Sequence, residues 1–577
     1  MLKHKVIGIT AACLLTGGSV SPSLAQTAPA SPNVAQPNAS QNNVKLLQEF
    51  RPIGATDNNK SRPELNPTPG SPELALAPLN FAPGTNDGLV DGPNPRTISN
   101  VISGGTGAQG QNAATVDPGA SAWLYVFGQF VDHDLDLESN SPSGTPINIS
   151  VPVGDPVFTT GGSIAMTRDV RDPKTNTIVN TTAGYLDLSQ LYGSTTDVAN
   201  SLRNTDGTLT SANNGQTLPI VSNNFVTGDP RVMENPELTA VTTLFMREHN
   251  FWVATLHAQN PSWTGDQLYN MAKAITTAEY ENIVFNEYLP ILLGSVPAYG
   301  GYDPKVNTQV SQEFAEAAFR MGHSQVSDQQ EGLNNNGVQV FNESLGQAFF
   351  NTPALDISPT PDPGVPAFHD GIDALLRSLS VDNSQATDVY AMAGLRNLLF
   401  APLAGGNVDQ IDLIAIDIQR ERDAGLGTLN QTRKALGLPP HTSFSDLTSD
   451  TVLQQDLKTT YGSIDNVDLF IGGLAEAHVN NGRLGQTFQA IIGTQFQNLR
   501  TGDRFWWQNQ QFDPHTASTI SSTTLATILR RDTDSTNVPD HVFVPTPAAA
   551  RVRPAAATVA TSTTTPINTQ GRPFIFP

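Results

Sequence analysis

Apolar residues recur at helical spacing through much of the chain. Between Ser121 and Leu137, the residues Trp123, Val126, Phe127 and Phe130 stand three and four apart and predict a helix with an aromatic stripe. Asn235-Pro236 supplies an N-cap with Pro at the first helical position. It opens a predicted helix running through Leu244, Phe245, Phe251 and Trp252 to about His257. Thr264 with Gln267 forms a capping box ahead of a helix of about twenty-five residues that ends near Pro290. Ser311–Gly322, Gly371–Ser380, Leu395–Phe400, Ile411–Asp423 and the stretch from Gly473 onward also favour helix, while strand signals are few. The predicted fold class is mainly α, a large single helical domain with long loops and very little β.

The two ends break this pattern. Lys3, His4 and Lys5 precede a short apolar run, Val6 to Leu15, and Ser23-Leu24-Ala25 makes a small-x-small cleavage site. Residues 1–25 therefore read as a secretory signal peptide, which places the mature protein outside the cell or in a periplasm. Residues 26–45 have linker composition, 46–544 form the predicted domain, and 545–577 are a Pro/Ala/Thr-rich tail. No internal repeat divides the middle, and no apolar stretch there is long enough for a transmembrane segment.

Composition narrows the chemistry. The 577 residues carry 31 Lys+Arg against 53 Asp+Glu, a formal charge of −22, so nucleic acid is an unfavourable partner. The single cysteine, Cys13, falls in the leader, which excludes disulfide frameworks, Cys-based zinc and iron–sulfur sites, and CxxCH haem attachment. Redox or metal chemistry must then use His, carboxylates and oxygen ligands.

Five segments could carry it. In Gln129-Phe-Val-Asp132-His133-Asp134-Leu-Asp136, Gln129, Asp132 and His133 share a helix face beside the aromatics; a solvated acidic turn or a zinc site are the alternatives. In Tyr185-Leu-Asp187-Leu-Ser189, two side-chain oxygens two residues apart suit Ca²⁺, though an ordinary Asp/Ser turn has the same pattern. Arg231 and Glu234, just before a helix start, could be a surface ion pair. His323, in Arg320-Met-Gly-His323, could be a satisfied core histidine. Asp417, one carboxylate in the apolar run Ile414–Ile418, could pair with a nearby arginine.

Taken together and in this order, the segments resemble the animal-type haem peroxidase (peroxidase–cyclooxygenase) superfamily, specifically its bacterial secreted members. The resemblance runs from about Phe50 (Phe50-Arg-Pro-Ile-Gly-Ala-Thr-Asp-Asn-Asn59) to about Phe543. It includes Gly228-Asp-Pro-Arg231, Met246-Arg-Glu-His-Asn250, Gly425-Leu-Gly-Thr-Leu-Asn430, Leu469-Phe-Ile-Gly-Gly-Leu-Ala-Glu476, Gln495-Phe496 and Gly502-Asp-Arg-Phe-Trp-Trp507. It implies a helical fold around haem b and a secreted peroxidase in which H₂O₂ generates a ferryl species that oxidises a halide, thiocyanate or small phenol. His133 is then the distal base, with Gln129 beside it, Arg231 the distal cation and His323 the proximal iron ligand. Asp132 and Glu234 match positions that ester-link the haem. Asp417 matches the proximal histidine's usual Asn partner, and Arg320 falls among the cofactor-binding positions. Asp134, Asp187, Ser189 and the Tyr185 carbonyl match a calcium site.

Departures qualify this. Asn235 stands where the mammalian myeloid enzyme has a vinyl-linking Met, so that bond cannot form. Ala183 replaces a calcium-site Thr, with Thr182 one residue earlier. The usual Arg-Gly-Arg-Asp-His-Gly run appears as Arg420-Glu-Arg-Asp-Ala-Gly425. A fatty-acid dioxygenase of the same superfamily needs a radical-forming Tyr at position 320, where this chain has Arg. A non-catalytic adhesion protein on the same scaffold predicts eroded distal residues, yet Gln129, His133 and Arg231 all stand.

Overall fold

The aromatic stripe forms as predicted, in helix α1 (Trp123–Leu135), where Trp123, Phe127 and Phe130 are fully buried. The computed structural model describes residues 44–81, 92–105, 113–138, 144–159, 161–222, 224–349, 369–400 and 409–545. The expected leader, nearly all of the expected linker, and the tail beyond residue 545 lie outside the described residues.

Helix α2 (Pro236–Gln259) packs against α1, with the Phe130 and Phe245 rings stacked at 5.0 Å between centroids. Its start follows local rules: the Asn235 side chain accepts the Leu238 N–H at 2.8 Å, and Pro236 has no N–H to leave unpaired. Helix α3 (Gly265–Ile283) begins at the Thr264/Gln267 capping box and sets Tyr280 edge-on against both phenylalanines. Helix α4 (His369–Leu379) packs on α2, and α5 (Leu413–Asp423) is capped by Asp412, which accepts the Ala415 N–H at 3.0 Å. Helix α6 (Gln486–Thr501) brings Phe496 edge-on to Phe314 and Phe319.

Strands among the described residues form only two-stranded antiparallel pairs. The pair β1 (Ser71–Pro72) and β2 (Val179–Asn180) aligns Ser71 with Asn180. The longer pair β3 (Gln329–Leu333) and β4 (Gln339–Ser344) aligns Gln329 with Ser344.

Four expectations need correction. The predicted helix from Thr264 to Pro290 is broken by a π turn, Val284–Tyr288, before helix resumes at Leu289–Leu293, because Pro290 cannot donate and is tolerated only near a fresh start. The stretch Ser311–Gly322 is a π turn (Phe314–Ala318), a 3₁₀ turn (Phe319–Met321) and a short helix (Gly322–Gln325), an irregularity common at functional sites. Leu395–Phe400 is helix only to Arg396, and Leu398–Phe400 pairs as a strand with Asp409–Ile411; a short apolar run does not distinguish the two. The helix expected from Gly473 onward in fact ends at Ala475 (Leu469–Ala475) and restarts as α6. A Cβ on Gly473 would stand 2.1 Å from the Phe488 ring, so that glycine serves close packing between the two helices.

Candidate active site

A cavity lies where α1, the start of α2 and the irregular 314–325 segment meet. Gln129, Asp132 and His133 line it from α1, Glu234 and Asn235 from the turn before α2, and Arg320 and His323 from the third segment. The sequence face shared by Gln129, Asp132 and His133 therefore looks inward, and the solvated-turn alternative fails.

His133 is 2 % exposed, and burial, reinforced by the charge of Arg231, lowers its pKa to about 3. The imidazole is neutral at ordinary pH and able to accept a proton. Arg231 sits in a 3₁₀ turn, Pro230–Met233, whose cap Asp229 takes Nη2 at 2.7 Å; Nη2 also donates to the Asp136 carbonyl at 2.6 Å. Burial opposes the Arg231 charge, but the Asp229 carboxylate restores it above its ordinary range, while Nη1 is buried without a hydrogen-bond partner. The Arg231–Glu234 surface pair therefore does not form. Glu234 instead accepts from Gln129 Nε2 at 3.0 Å, and Oε2 lies 3.6 Å from His133 Nε2. Asn235 completes the network by donating to Gln129 Oε1 at 2.8 Å. Burial raises Glu234 to about 8 and Asp132 to about 6, and Glu234 Oε1 is buried with no partner.

The other histidine is not a satisfied core residue. Its Nδ1 meets Asp417 Oδ2 at 2.7 Å, and the imidazole side chain is 25 % exposed toward the cavity it lines. Asp417 Oδ1 lies 3.4 Å from Arg320 Nη1, so both partners considered for Asp417 are present. Arg320 Nη2 also donates to Glu138 at 2.6 Å and Glu316 at 2.9 Å.

The residues of the expected calcium site also come together, at the end of α1. Asp134 accepts N–H bonds from Asp187 (2.9 Å), Leu188 (3.0 Å) and Ser189 (2.6 Å) and the Ser189 hydroxyl at 2.9 Å. The Tyr185 carbonyl accepts from Asp187 N at 2.9 Å, and Leu188 turns left-handed at φ 59° to close the loop. Thr182 Oγ1, not Ala183, stands 3.1 Å from the Ser189 hydroxyl. Asp134 and Asp187 are buried, and burial raises both carboxyls; the charge of Asp187 adds to the rise at Asp134.

Sequence reasoning missed several cavity residues. Tyr125, four residues before Gln129 and thus on its face, donates to Glu237 Oε1 at 3.3 Å; that spacing was the available signal. Tyr288 reaches in from the π turn, and a Cβ on Gly128 would stand 2.9 Å from its hydroxyl, so the close approach needs a glycine. Nothing local marks Tyr288 in the sequence.

This arrangement matches known proteins across nearly its whole length. The family model for animal haem peroxidases matches residues 50–543. The chain belongs to the animal haem peroxidase family. Peroxinectin A from Dictyostelium discoideum is 32 % identical over 533 residues, covering 85 % of this chain and 95 % of the relative. Lactoperoxidase from Mesocricetus auratus is 30 % identical, covering 87 % and 78 %. Among solved structures, Peroxidase A from Dictyostelium discoideum superposes with a TM-score of 0.74 at 29 % identity, covering 86 % of this chain and 99 % of that one. A fatty acid alpha-dioxygenase from Arabidopsis thaliana shares the fold, with a TM-score of 0.71 at 17 % identity over 90 % of this chain and 88 % of that one. The protein is a haem-dependent peroxidase, an enzyme that uses H₂O₂ and a donor, and among its described residues no helix is long and apolar enough to cross a membrane.

Proposed function

We propose that the cavity binds haem b with His323 as the iron ligand, and that His133, Arg231 and Gln129 carry the reaction with peroxide. The residues suit the group: His133 and His323 both line the cavity, Glu234, which also lines it, keeps Oε1 buried without a partner, and Arg231, held behind the lining by Asp136 and Asp229, likewise keeps Nη1 unpartnered. When bound, haem supplies the iron centre that peroxide oxidises and that the donor then reduces. His133, neutral because it is buried, takes the proton from the inner peroxide oxygen and returns it to the outer one. Arg231, its charge secured by Asp229, offers Nη1 to the negative charge growing on the departing oxygen. Gln129, held from both sides by Asn235 and Glu234, orients the incoming molecule. Asp417 accepts the Nδ1–H of His323 and fixes the ring, which would leave the other ring nitrogen free to hold the iron.

Asp132 and Glu234, which both line the cavity, are the candidates for ester links. A halide, thiocyanate or small phenol is the donor class. Asp134, Asp187, Ser189 and the Tyr185 carbonyl offer a hard-oxygen set for Ca²⁺, which would neutralise two carboxyls that burial raises, Asp134 further by the charge of Asp187. The leader composition of residues 1–25 supports export to the periplasm or medium. Arg320, engaged by Glu138, Glu316 and Asp417, leaves no tyrosine for dioxygenase radical chemistry at that position.

The single observation that carries this reading is the pair of histidines that line one cavity from two different segments, one neutral by burial and one tied to a carboxylate. His323→Ala should lose the haem Soret band. His133→Ala should keep that band and react with H₂O₂ at least 100-fold more slowly, the scale of a lost general base. Equal peroxide rates in His133→Ala and the unaltered protein would overturn the assignment.

A further inference from the structure

The cavity has two unlike ends. Tyr125 and Asp136 both line it from the side of α1, and the helix carries them about 16 Å apart at 1.5 Å per residue. The Asp136 end is charged, with Arg231 donating to the Asp136 carbonyl at 2.6 Å. At the other end the Tyr125 hydroxyl donates to Glu237 Oε1 at 3.3 Å, and burial lifts the Glu237 carboxyl to about 8, which leaves it uncharged at neutral pH. The Ser327 backbone meets the same hydroxyl and brings residues 325–330 alongside.

Gln325 and Gln330 line the cavity from that segment and are 0 % and 2 % exposed. Gln325 is fixed by its Nε2, which donates to Thr387 Oγ1 at 2.8 Å. Its Oε1, and Gln330 Oε1, are buried with no hydrogen-bond donor. A buried acceptor left unpaired is costly, so these oxygens call for a donor. Haem b does not supply one, because its rim carries carboxylates, vinyls and methyls. Halide and thiocyanate have no proton to give. Next to Gln330, the short helix Leu345–Ala348 packs on β3, and Leu345 and Phe349 line the cavity with apolar surface.

Resting on the haem reading above, we propose that the Tyr125/Glu237 end is a subsite for an uncharged phenol, which donates its hydroxyl hydrogen to Gln330 Oε1 and lays its ring against Leu345 and Phe349. The donor taken here is then a phenol, and an inorganic anion is not held at this end.

Isothermal titration calorimetry of the haem-loaded full chain with phenol, and with anisole (its methyl ether), tests the subsite without turnover. Titrating only protein whose Soret band answers H₂O₂ keeps a failure of the subsite apart from a failure of the haem reading. Phenol should bind about tenfold or more tightly than anisole, and iodide should leave the phenol Kd unchanged. Gln330→Met, which keeps the length of the side chain and removes the acceptor, should erase the preference for phenol and leave anisole binding as it was. Should that variant not fold, Gln330→Asn, whose shorter arm withdraws the oxygen, should do the same. Equal affinity of the unaltered protein for phenol and anisole would mean that water keeps these oxygens, and would overturn the subsite. Displacement of phenol by iodide, or an undiminished preference for phenol in the folded Gln330 variant, would overturn it too.

Discussion

At the residue scale, the proton chemistry rests on how burial separates neighbouring groups. His133, lowered to about 3, stays neutral across the working range. The rate of reaction with H₂O₂ should therefore be flat from pH 7 down to about 4 and fall as pH drops through about 3; stopped-flow absorbance across that range checks it, and a midpoint near 6.5 would show an ordinary exposed histidine. The proximal side makes a second prediction. Asp417 places a carboxylate 2.7 Å from His323 Nδ1 and, with His323 holding iron as proposed, would send electron density toward it. Asp417→Asn should raise the haem reduction potential in spectroelectrochemical titration, and roughly 10- to 100-fold weaker activity is the scale expected of such an outer partner. An unchanged potential would overturn this role for Asp417.

At the element scale, the sequence was legible wherever a local rule decided the structure. The α1 stripe, the Asn235 cap and the Thr264/Gln267 box are each set by residues within one or two turns, and each formed where expected. The misread segments were those decided by tertiary partners. Pro290 restarts a helix, Leu398 finds a strand across the loop to Ile411, and Gly473 yields to the Phe488 ring. Of the residues singled out in the sequence, Gln129, His133 and His323 come together on the cavity lining, and Arg231 does not line it. Tyr288 reaches the cavity from far along the chain, and no spacing announces it. Asn235 does two jobs that the sequence showed as one, capping α2 and gripping Gln129. Asn235→Ala should cost about 1 kcal/mol in urea denaturation from the lost cap and also slow the peroxide reaction. Asn235→Ser, which restores a capping oxygen, should recover the stability and not the rate.

At the scale of the whole molecule, many carboxyls are buried in the protonated form. Burial raises Glu234, Glu237 and Glu248 each to about 8 from 4.5. A group whose folded pKa is raised contributes stability below its unfolded pKa and loses it as pH rises through the folded value. His133 and His249, lowered to about 3 and about 4, act in the opposite sense, but only below about 6.5. Between pH 6.5 and 8 the carboxyls alone set the slope, so the haem-free protein should lose stability over that window. Thermal melts at both pH values check it, and Glu234→Gln should flatten the change; a melting temperature that rises toward pH 8 contradicts the assignment.

The central claim is that this cavity makes a peroxide-driven haem enzyme. The absorption spectrum of the haem-loaded protein, recorded before and after a small excess of H₂O₂ and again after iodide or guaiacol, tests it most directly. A Soret band that shifts with peroxide and returns with the donor is the predicted result. A chain that takes up no haem, or whose haem spectrum is indifferent to peroxide, would contradict it.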